Sequence, residues 1–213
     1  MDKVDTSSVA KRPYRSPLRE AQAAATRTRI LDAALDTFLD TGYGGTSVAA
    51  IARAAGVSPE TVYATFGTKR GIVAGLLERV DAEDRPRRAA DMSRERGGGA
   101  GVELEILAEA AASFWTANGR LVRLLRQGIG DPEIGRLWQR RQQARRRLIV
   151  NLVRGWPPGS LRPGLDPDAA ADLAWSLTTA ELYEMLVGQR GWAIGAYVEW
   201  LRQALRRELL AAG

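Results

Sequence analysis

Apolar side chains recur along most of the chain at intervals of three and four residues. From Thr26 onward, Ile30, Ala34 and Phe38 repeat with the period of a helix that buries one face. Gly42 is predicted to end this first helix, since glycine commonly stops a helix and starts a turn. No alternating apolar and polar pattern is long enough for a useful strand. The sequence therefore predicts an all-α fold.

Capping residues predict where the next helices begin. Thr46 precedes a short apolar segment and is predicted to cap a second helix, which ends at Gly56. Ser58 is predicted to cap a third helix, with Pro59 at its first position, where the missing N–H carries no penalty. A fourth helix, with its own apolar stripe, is predicted to start at Thr68.

The two short helices joined by the sequence AGVS form a predicted helix-turn-helix. Gly56 takes the turn in this prediction, and Val57 fills the core between the helices. Val62 and Phe66 of the third helix are four residues apart and face inward, so Tyr63 is predicted to face outward. In such motifs the second helix enters the major groove of DNA, led by its N-terminal residues.

The chain divides into three predicted parts. Residues 1–23 are polar and carry prolines and basic side chains, which predicts a flexible basic arm that is either plainly disordered or contacts DNA through Arg12 and Arg15. Residues 24–80 form the predicted helix-turn-helix DNA-binding domain, and residues 81–213 a second helical domain that opens with a glycine-rich connector at 82–101. The remaining helices are predicted at 103–117, 120–127, 131–154, 166–187 and 194–210.

Composition narrows the classes of function. The 213 residues carry a formal net charge of +6, which favours partners such as nucleic acid, anionic membrane surfaces or acidic molecules. The chain has no cysteine and no histidine, so disulfides and thiolate metal sites are excluded and the usual general base at neutral pH is missing. No paired-carboxylate motif, phosphate loop or nucleophile elbow is visible. We therefore predict that the protein is not an enzyme and uses no metal or cofactor.

The expected location is the cytoplasm. The start of the chain has no apolar run of the kind that a secretory signal requires, and no segment approaches the roughly 20 apolar residues that span a bilayer. We expect no membrane partner. A helical interaction protein that uses its basic helices on a membrane or a scaffold remains the alternative to a DNA reader.

The segment TRTRILDAALDTFLDTGYGGTSVAAIARAAGVSPETVYATFGTKRGIVAGLLE carries a more specific signal. Its order and spacing of ILDAAL, F, GY, TSV, IA, AGVS, T, Y, F and K closely resemble the N-terminal domain of the TetR family of bacterial transcription regulators. The resemblance covers roughly residues 24–78, about a quarter of the chain. It implies a three-helix DNA-binding domain followed by a C-terminal helical domain for ligand binding and dimerisation. It also implies a homodimer on a palindromic double-stranded DNA operator, usually a repressor released by a small-molecule effector, with activation as the alternative.

The resemblance also implies roles for individual residues. Thr46, Tyr63 and Lys69 match positions that grip the DNA backbone, and Arg53 on the outer face of the second helix would add a phosphate contact. For Thr46 and Ser58 we expect capping and DNA contact together. The residues that match base-reading positions are Pro59, Glu60, Thr61, Ala64 and Thr65.

Two residues depart from the common family pattern. Glu60 stands where a small residue is frequent, and Arg70 stands where an acid is common. A carboxylate accepts a hydrogen bond from the amino group of cytosine in the major groove, and it also stabilises the N-terminus of a helix. The sequence leaves both roles of Glu60 open.

Large aromatic side chains concentrate in the second domain, since all six tryptophans lie after residue 114. The resemblance places a ligand pocket among its middle helices, and the apolar stripe of the last helix suits a dimer formed by the last two helices, with a monomer core as the alternative. The basic run at 140–147 is interpreted as a solvated face, with a surface for an anionic ligand or partner as the alternative. Candidate pocket residues are Phe114, Trp115, Trp138, Trp175, Thr179 and Tyr183.

Overall fold

The computed structural model describes residues 17–81 and 85–211. This part of the chain contains ten α-helices, a 3-10 turn (Gly128–Gly130) between α6 and α7, and a π-helix (Glu184–Gln189) after α9. Beyond one isolated bridge it contains no strand, so the all-α prediction is confirmed. The helices are α1 (Pro17–Gly45), α2 (Val48–Ala55), α3 (Pro59–Phe66), α4 (Lys69–Asp81), α5 (Arg85–Glu95), α6 (Ala100–Gln127), α7 (Pro132–Arg154), α8 (Pro167–Leu177), α9 (Ala180–Tyr183) and α10 (Ile194–Leu209).

Helix α1 begins earlier than the sequence predicts. It starts at Pro17 and not near Thr26, so residues 17–23 of the predicted arm are helical. Proline suits the first turn and the alanines that follow have high helix propensity, whereas the prediction relied on a buried face that these exposed turns lack. The rest of the predicted arm lies outside the described residues. Near its end the chain turns at Gly42, whose φ of 73° favours glycine.

The first hydrophobic core joins the N-terminal helices to the middle of the chain. Ile30 and Phe38 of α1 are fully buried in it. Trp115 of α6 and Trp138 of α7 belong to the same core. The helices of the predicted DNA-binding domain therefore share their core with the two long helices that follow.

A second core lies at the other ends of α6 and α7, where they meet α8 and α10. The apolar stripe of the last helix points into this core, with Tyr197, Leu201 and Leu205 fully buried. The monomer-core alternative thus accounts for the stripe. A dimer contact through the last helices has to use other residues.

Helix α6 is continuous where two helices were predicted. It runs through Gly119, at which the sequence suggested a break. A mid-helix glycine costs about 0.5–1 kcal/mol relative to alanine. Burial of the two halves of α6 in two different cores outweighs this cost.

The predicted connector at 82–101 contains helix α5. Between α5 and α6, Gly97, Gly98 and Gly99 have φ values of 91°, 70° and 93°. Other residues rarely adopt this part of backbone space. The glycine run therefore serves the turn that leads into α6.

Two aspartates start helices where the sequence predicted. Asp131 caps α7, and its Oδ1 accepts a hydrogen bond from the N–H of Glu133 at 2.9 Å. Asp166 caps α8 in the same way, accepting from the N–H of Asp168 at 2.9 Å. In each case a proline occupies the first helical position, where its missing N–H is not needed.

The single helix predicted over 166–187 is broken after Leu177. Thr178 leaves the helical conformation, and Thr179 starts α9 by accepting a hydrogen bond from the N–H of Leu182 at 3.4 Å. Threonine hydroxyls compete with the backbone bonds of a helix, which favours a break at this pair. Apolar periodicity alone did not reveal it.

The guanidinium of Arg145 fills the gap at this break. Its Nη1 donates to the carbonyl oxygen and to the hydroxyl of Thr178, and its Nη2 donates to the carbonyl oxygen of Trp175, all at 2.8 Å. Burial lowers the pKa of Arg145 to about 10, so the group stays charged at neutral pH. The interpretation of 140–147 as a solvated face is therefore wrong for Arg145, which satisfies the last carbonyl groups of α8.

Replacing Arg145 with methionine should lower the free energy of unfolding by about 1–3 kcal/mol, because the carbonyl groups at the end of α8 lose their donors. Arg147→Met, at an exposed position of the same helix, is the matched control and should change it by less than about 0.5 kcal/mol. Urea denaturation followed by circular dichroism measures both. Equal stability of the two variants would show that Arg145 does not hold the break.

Candidate nucleic-acid interface and helical-domain cavity

Helices α2 and α3 form the predicted helix-turn-helix. Gly56 ends α2 in the left-handed conformation, with φ of 65° and ψ of 38°. The N–H of Val57 donates to the carbonyl oxygen of Ala52 at 3.0 Å, and the half-buried side chain of Val57 packs against the first core. Both residues have the roles in the turn that the sequence predicts.

One side of α3 is buried and the other is open. Val62 is 1% exposed and Phe66 is half-buried, whereas Tyr63 is 53% exposed. The prediction that Tyr63 faces outward is confirmed. Glu60 and Ala64 are exposed on the same helix. The half-buried candidates on α3 are Pro59, Thr61 and Thr65.

The N-terminus of α3 is capped as predicted. Oγ of Ser58 accepts a hydrogen bond from the N–H of Thr61 at 3.2 Å, and Pro59 takes the first position. The pKa of Glu60 is lowered, because its own backbone N–H and the hydroxyl of Ser58 favour the charged carboxylate. The charged form of Glu60 is thus favoured at the helix terminus while its side chain stays exposed.

Thr46 is not the cap of α2. That role belongs to Ser47, whose Oγ accepts a hydrogen bond from the N–H of Ala50 at 3.1 Å. Thr46 is only 3% exposed; its hydroxyl bonds to the carbonyl oxygen of Gly42 at 2.8 Å and to the hydroxyl of Thr41 at 2.6 Å. Its N–H donates to Gly42 as well, at 3.2 Å. The hydroxyl and the N–H of Thr46, the two groups that a phosphate contact would use, are therefore engaged inside the protein.

Lys69 lies at the start of α4 and is also engaged inside the protein. Its Nζ donates to the carbonyl oxygens of Tyr43 at 2.7 Å and Thr46 at 2.9 Å, and it lies 4.5 Å from the centre of the Tyr43 ring. A lysine has three donors, so these bonds use two of them. Lys69 ties α4 to the turn between α1 and α2.

Two ion pairs connect the helix-turn-helix part to the helices that follow. Arg70, which departs from the family pattern, pairs with Glu133 at the start of α7. Arg120 of α6 pairs with Asp36 of α1 at 2.7 Å. Arg53, by contrast, is exposed in the last turn of α2, as its predicted contact with phosphate requires.

A cavity of about 400 Å³ opens between α6 and the segment formed by α9 and the π-helix. Two of the six candidate pocket residues, Trp115 and Tyr183, line it. The lining residues are Trp115, Gly119, Val122, Arg123, Arg126, Gln127, Ala180, Tyr183 and Glu184.

The other four candidates do not line this cavity, because each is used in packing or capping. Phe114 packs edge-on against Trp115, with ring centres 4.5 Å apart, and Trp138 is buried in the first core. Trp175 packs against the second core, and Thr179 caps α9.

The sequence contains a pattern that points to three further residues of the cavity lining, Gly119, Arg123 and Arg126. Trp115, Gly119, Arg123 and Arg126 follow one another at intervals of four, four and three residues, which places them on one face of a helix. A prediction of pocket residues that relies mainly on aromatic side chains leaves out the glycine and the two arginines on that face.

Comparison with known proteins identifies the fold that carries this interface. A family model described as bacterial regulatory proteins, tetR family, matches residues 30–76. The structure of NalD from Pseudomonas aeruginosa, the secondary repressor of the MexAB-OprM multidrug efflux pump, is similar over 89% of this chain and 98% of its own. The TM-score is 0.70 and the sequence identity 26%. The chain belongs to the TetR family.

Two curated relatives are also helix-turn-helix transcriptional regulators. The transcriptional regulator UidR from Escherichia coli is 21% identical over 169 residues, which cover 78% of this chain and 84% of UidR. The regulator AlkX from Mycobacterium tuberculosis is 36% identical over 66 residues, or 31% of each chain. This member of the TetR family is a DNA-binding transcriptional regulator.

Two other properties of the TetR-family chain concern membranes and metal ions. Residues 17–81 and 85–211 contain no helix long and apolar enough to cross a membrane. The described part of the chain also brings together no group of three side chains of the kinds that hold a metal ion.

The Lys69→Met variant of this TetR-type domain should be less stable even without DNA, by about 1.5–3 kcal/mol, because two carbonyl groups lose a charged donor. Thermal unfolding of the free protein measures the loss. Arg53→Met, which removes an exposed charge nearby in the motif, should stay within about 0.5 kcal/mol of the parent protein. A variant with full stability and weaker operator binding would instead make Lys69 a phosphate contact alone.

Proposed function

We propose that the protein is a transcriptional repressor that binds a palindromic DNA operator as a homodimer in the cytoplasm and leaves it when a small molecule binds the helical domain. The observation that carries this proposal is the open face of α3, with Tyr63 and Glu60 exposed on a helix whose other side is buried. The likeness to NalD, itself a repressor, favours repression over activation.

In this proposal the contacts with the DNA backbone come from Tyr63 on α3 and from residues outside that helix. Tyr63 offers its hydroxyl to a phosphate, and Arg53 adds a charge from α2. Thr46 is engaged inside the protein, so we assign its phosphate contact to the exposed neighbour Ser47. Lys69 supports this surface by holding the turn before α2, with one remaining donor for phosphate.

The start of α3 is left to read bases. Glu60 suits a cytosine amino group, and the methyl of Thr61 suits the methyl group of thymine. Ala64 is exposed one turn further along, and half-buried Pro59 and Thr65 flank this surface. Ser58, as the cap, sets the direction in which these side chains leave the helix.

The dimer in this proposal uses the outer side of the last helices. Exposed apolar side chains gather between the π-helix and the start of α10, with Met185 47%, Trp192 38% and Ile194 45% exposed. Exposed apolar clusters on a protein surface commonly mark interfaces. The inward stripe of α10 is already used in the monomer, so this surface is the one that a second copy would cover.

Ligand and operator would communicate through the shared first core. A shift of α6 moves α1 through the Arg120–Asp36 pair, and a shift of α7 moves α4 through the Arg70–Glu133 pair. Two recognition helices on successive major grooves must stay about 34–36 Å apart. A small displacement is therefore enough to weaken binding.

Selection of bound DNA from a random pool tests the proposal directly. The expected product is a palindrome whose half-sites are about one helical turn, or 10 base pairs, apart. A pool that yields no enriched sequence would overturn operator binding. Enrichment of a single unrepeated half-site would overturn the dimeric mode.

Replacing Glu60 with alanine should change the preferred base at one position of each half-site, with about 1–3 kcal/mol of discrimination lost there. Tyr63→Phe is the matched comparison, because losing a phosphate contact weakens binding to all sequences alike. Binding to a panel of single-base operator variants measures both. If Glu60→Ala also weakened all operators equally, the carboxylate would only stabilise the helix terminus.

The Trp192→Glu variant should shift the protein from dimer to monomer, because it places a charge within the apolar contact. Sedimentation velocity at several protein concentrations measures the change. Leu18→Glu, at an apolar position of α1 that is 67% exposed, is the control and should remain dimeric. A dimer that survives Trp192→Glu would place the contact elsewhere.

A further inference from the structure

On the α6 side of the cavity, Gly119 leaves space that a side chain would otherwise occupy. This glycine lies inside a 28-residue helix, where alanine is the more stable choice. A Cβ built at Gly119 meets no atom within 4 Å, so no neighbouring part of the chain requires the glycine. Gly119 lines the cavity, and its missing side chain leaves that space free.

Arginines stand one and two turns further along the same face. Arg123 lines the cavity and makes no ion pair or hydrogen bond with any residue in the described part of the chain. Arg126 lies 3.6 Å from the carboxylate of Glu181. The one carboxylate in the cavity lining, that of Glu184, lies against Gly188 of its own π-helix. The cavity mouth therefore has a cation without a counter-charge.

A third arginine stands behind the cavity wall. Arg145 is bound only to carbonyl and hydroxyl oxygens of Thr178 and Trp175, and no described carboxylate pairs with it. Its guanidinium carbon lies 5.9 Å from the ring of Trp115, which lines the cavity. Charges act over longer range in a buried, low-dielectric setting than in water. Three arginines thus face two carboxylates around the cavity.

The aromatic walls offer apolar surface. The indole N–H of Trp115 donates to the carbonyl oxygen of Thr178 at 3.1 Å. The hydroxyl of Tyr183 shares a hydrogen bond of 2.8 Å with that of Thr116. The polar atoms of both rings are therefore engaged within the protein. An occupant would contact the half-buried ring of Tyr183 and the small exposed part of Trp115 that lines the cavity, and such ring surface suits another aromatic group.

We infer that this cavity takes an aromatic anion, with its carboxylate or sulfonate group at Arg123 and its ring over Gly119 between Trp115 and Tyr183. This inference rests on the proposed function in treating the cavity as the effector site. Volumes of about 300–1,000 Å³ are usual for small-molecule sites, and the cavity of about 400 Å³ falls in that range. Charge and aromatic surface together define the class of ligand.

Two fluorescent probes with nearly the same rings test the charge. The probe 8-anilinonaphthalene-1-sulfonate is an anion, and N-phenyl-1-naphthylamine is its neutral counterpart. The full-length protein should bind the anion about tenfold more tightly than the neutral probe, with one molecule per chain, because a charged hydrogen bond is added. Equal affinities for the two probes would overturn the inference.

Variants locate the bound probe. Arg123→Gln should raise the Kd of the anion about tenfold and leave that of the neutral probe within about twofold. Gly119→Leu should weaken both probes by filling the cavity, and circular dichroism verifies that it folds. Arg147→Gln, an exposed arginine outside the cavity lining, is the charge-matched control and should change neither Kd. If Arg123→Gln changed the Kd of the anion no more than Arg147→Gln does, the assignment of the anion to this cavity would be overturned.

Operator binding separates this inference from the proposed function. Release of operator by the anion, lost in Arg123→Gln, supports both. Release by the neutral probe alone overturns the choice of an anion and leaves ligand-controlled repression standing. Anion binding that depends on Arg123 without any change in operator affinity supports the anion site and counts against release by this cavity.

Discussion

Burial of α1 against α6 is the constraint on which the arrangement of this protein depends. Ile30 and Phe38 of α1 are fully inaccessible in a core that also contains Trp115 of α6. The helix-turn-helix rests on α1, so its position follows that of α6. The same helix α6 forms one wall of the cavity. A molecule bound in the cavity would therefore contact a helix that shares its core with the DNA-facing helices. Close-packed cores transmit displacements of this kind because they have little free volume.

Two basic side chains stabilise the fold from within. Arg145 binds the last carbonyl groups of α8, and Lys69 binds those at the turn between α1 and α2. Both lie where the ends of helices leave carbonyl groups without partners, and cations favour that end of a helix. A basic chain thus uses part of its charge for internal structure, and the net charge of +6 overstates what is available to DNA.

Helix α3 contains no lysine or arginine, which is consistent with a helix that reads bases while other groups contact the DNA backbone. Backbone contacts position a protein on DNA, and base contacts supply sequence preference. In the proposed complex the positioning groups are Tyr63, Arg53 and Ser47, while the exposed Glu60 stands at the tip of α3. The pKa of its carboxylate is lowered by its own N–H and by the hydroxyl of Ser58, so stabilising the terminus and facing DNA are compatible roles.

The sequence by itself determined the all-α class, the pair of helices in the helix-turn-helix, the turn at Gly56, the caps Ser58, Asp131 and Asp166, and the outward direction of Tyr63. Each of these local features depends on residues within about four positions of one another. Only the tertiary structure decided that Ser47 and not Thr46 caps α2, since both are good capping residues and the choice depends on packing against α1. It also decided that Arg145 is half-buried against the end of α8, that α6 continues through Gly119, and that the stripe of α10 faces its own chain. The contacts of Arg145 join residues 30 or more positions apart, such as Arg145 and Thr178, and no local pattern encodes contacts at that separation.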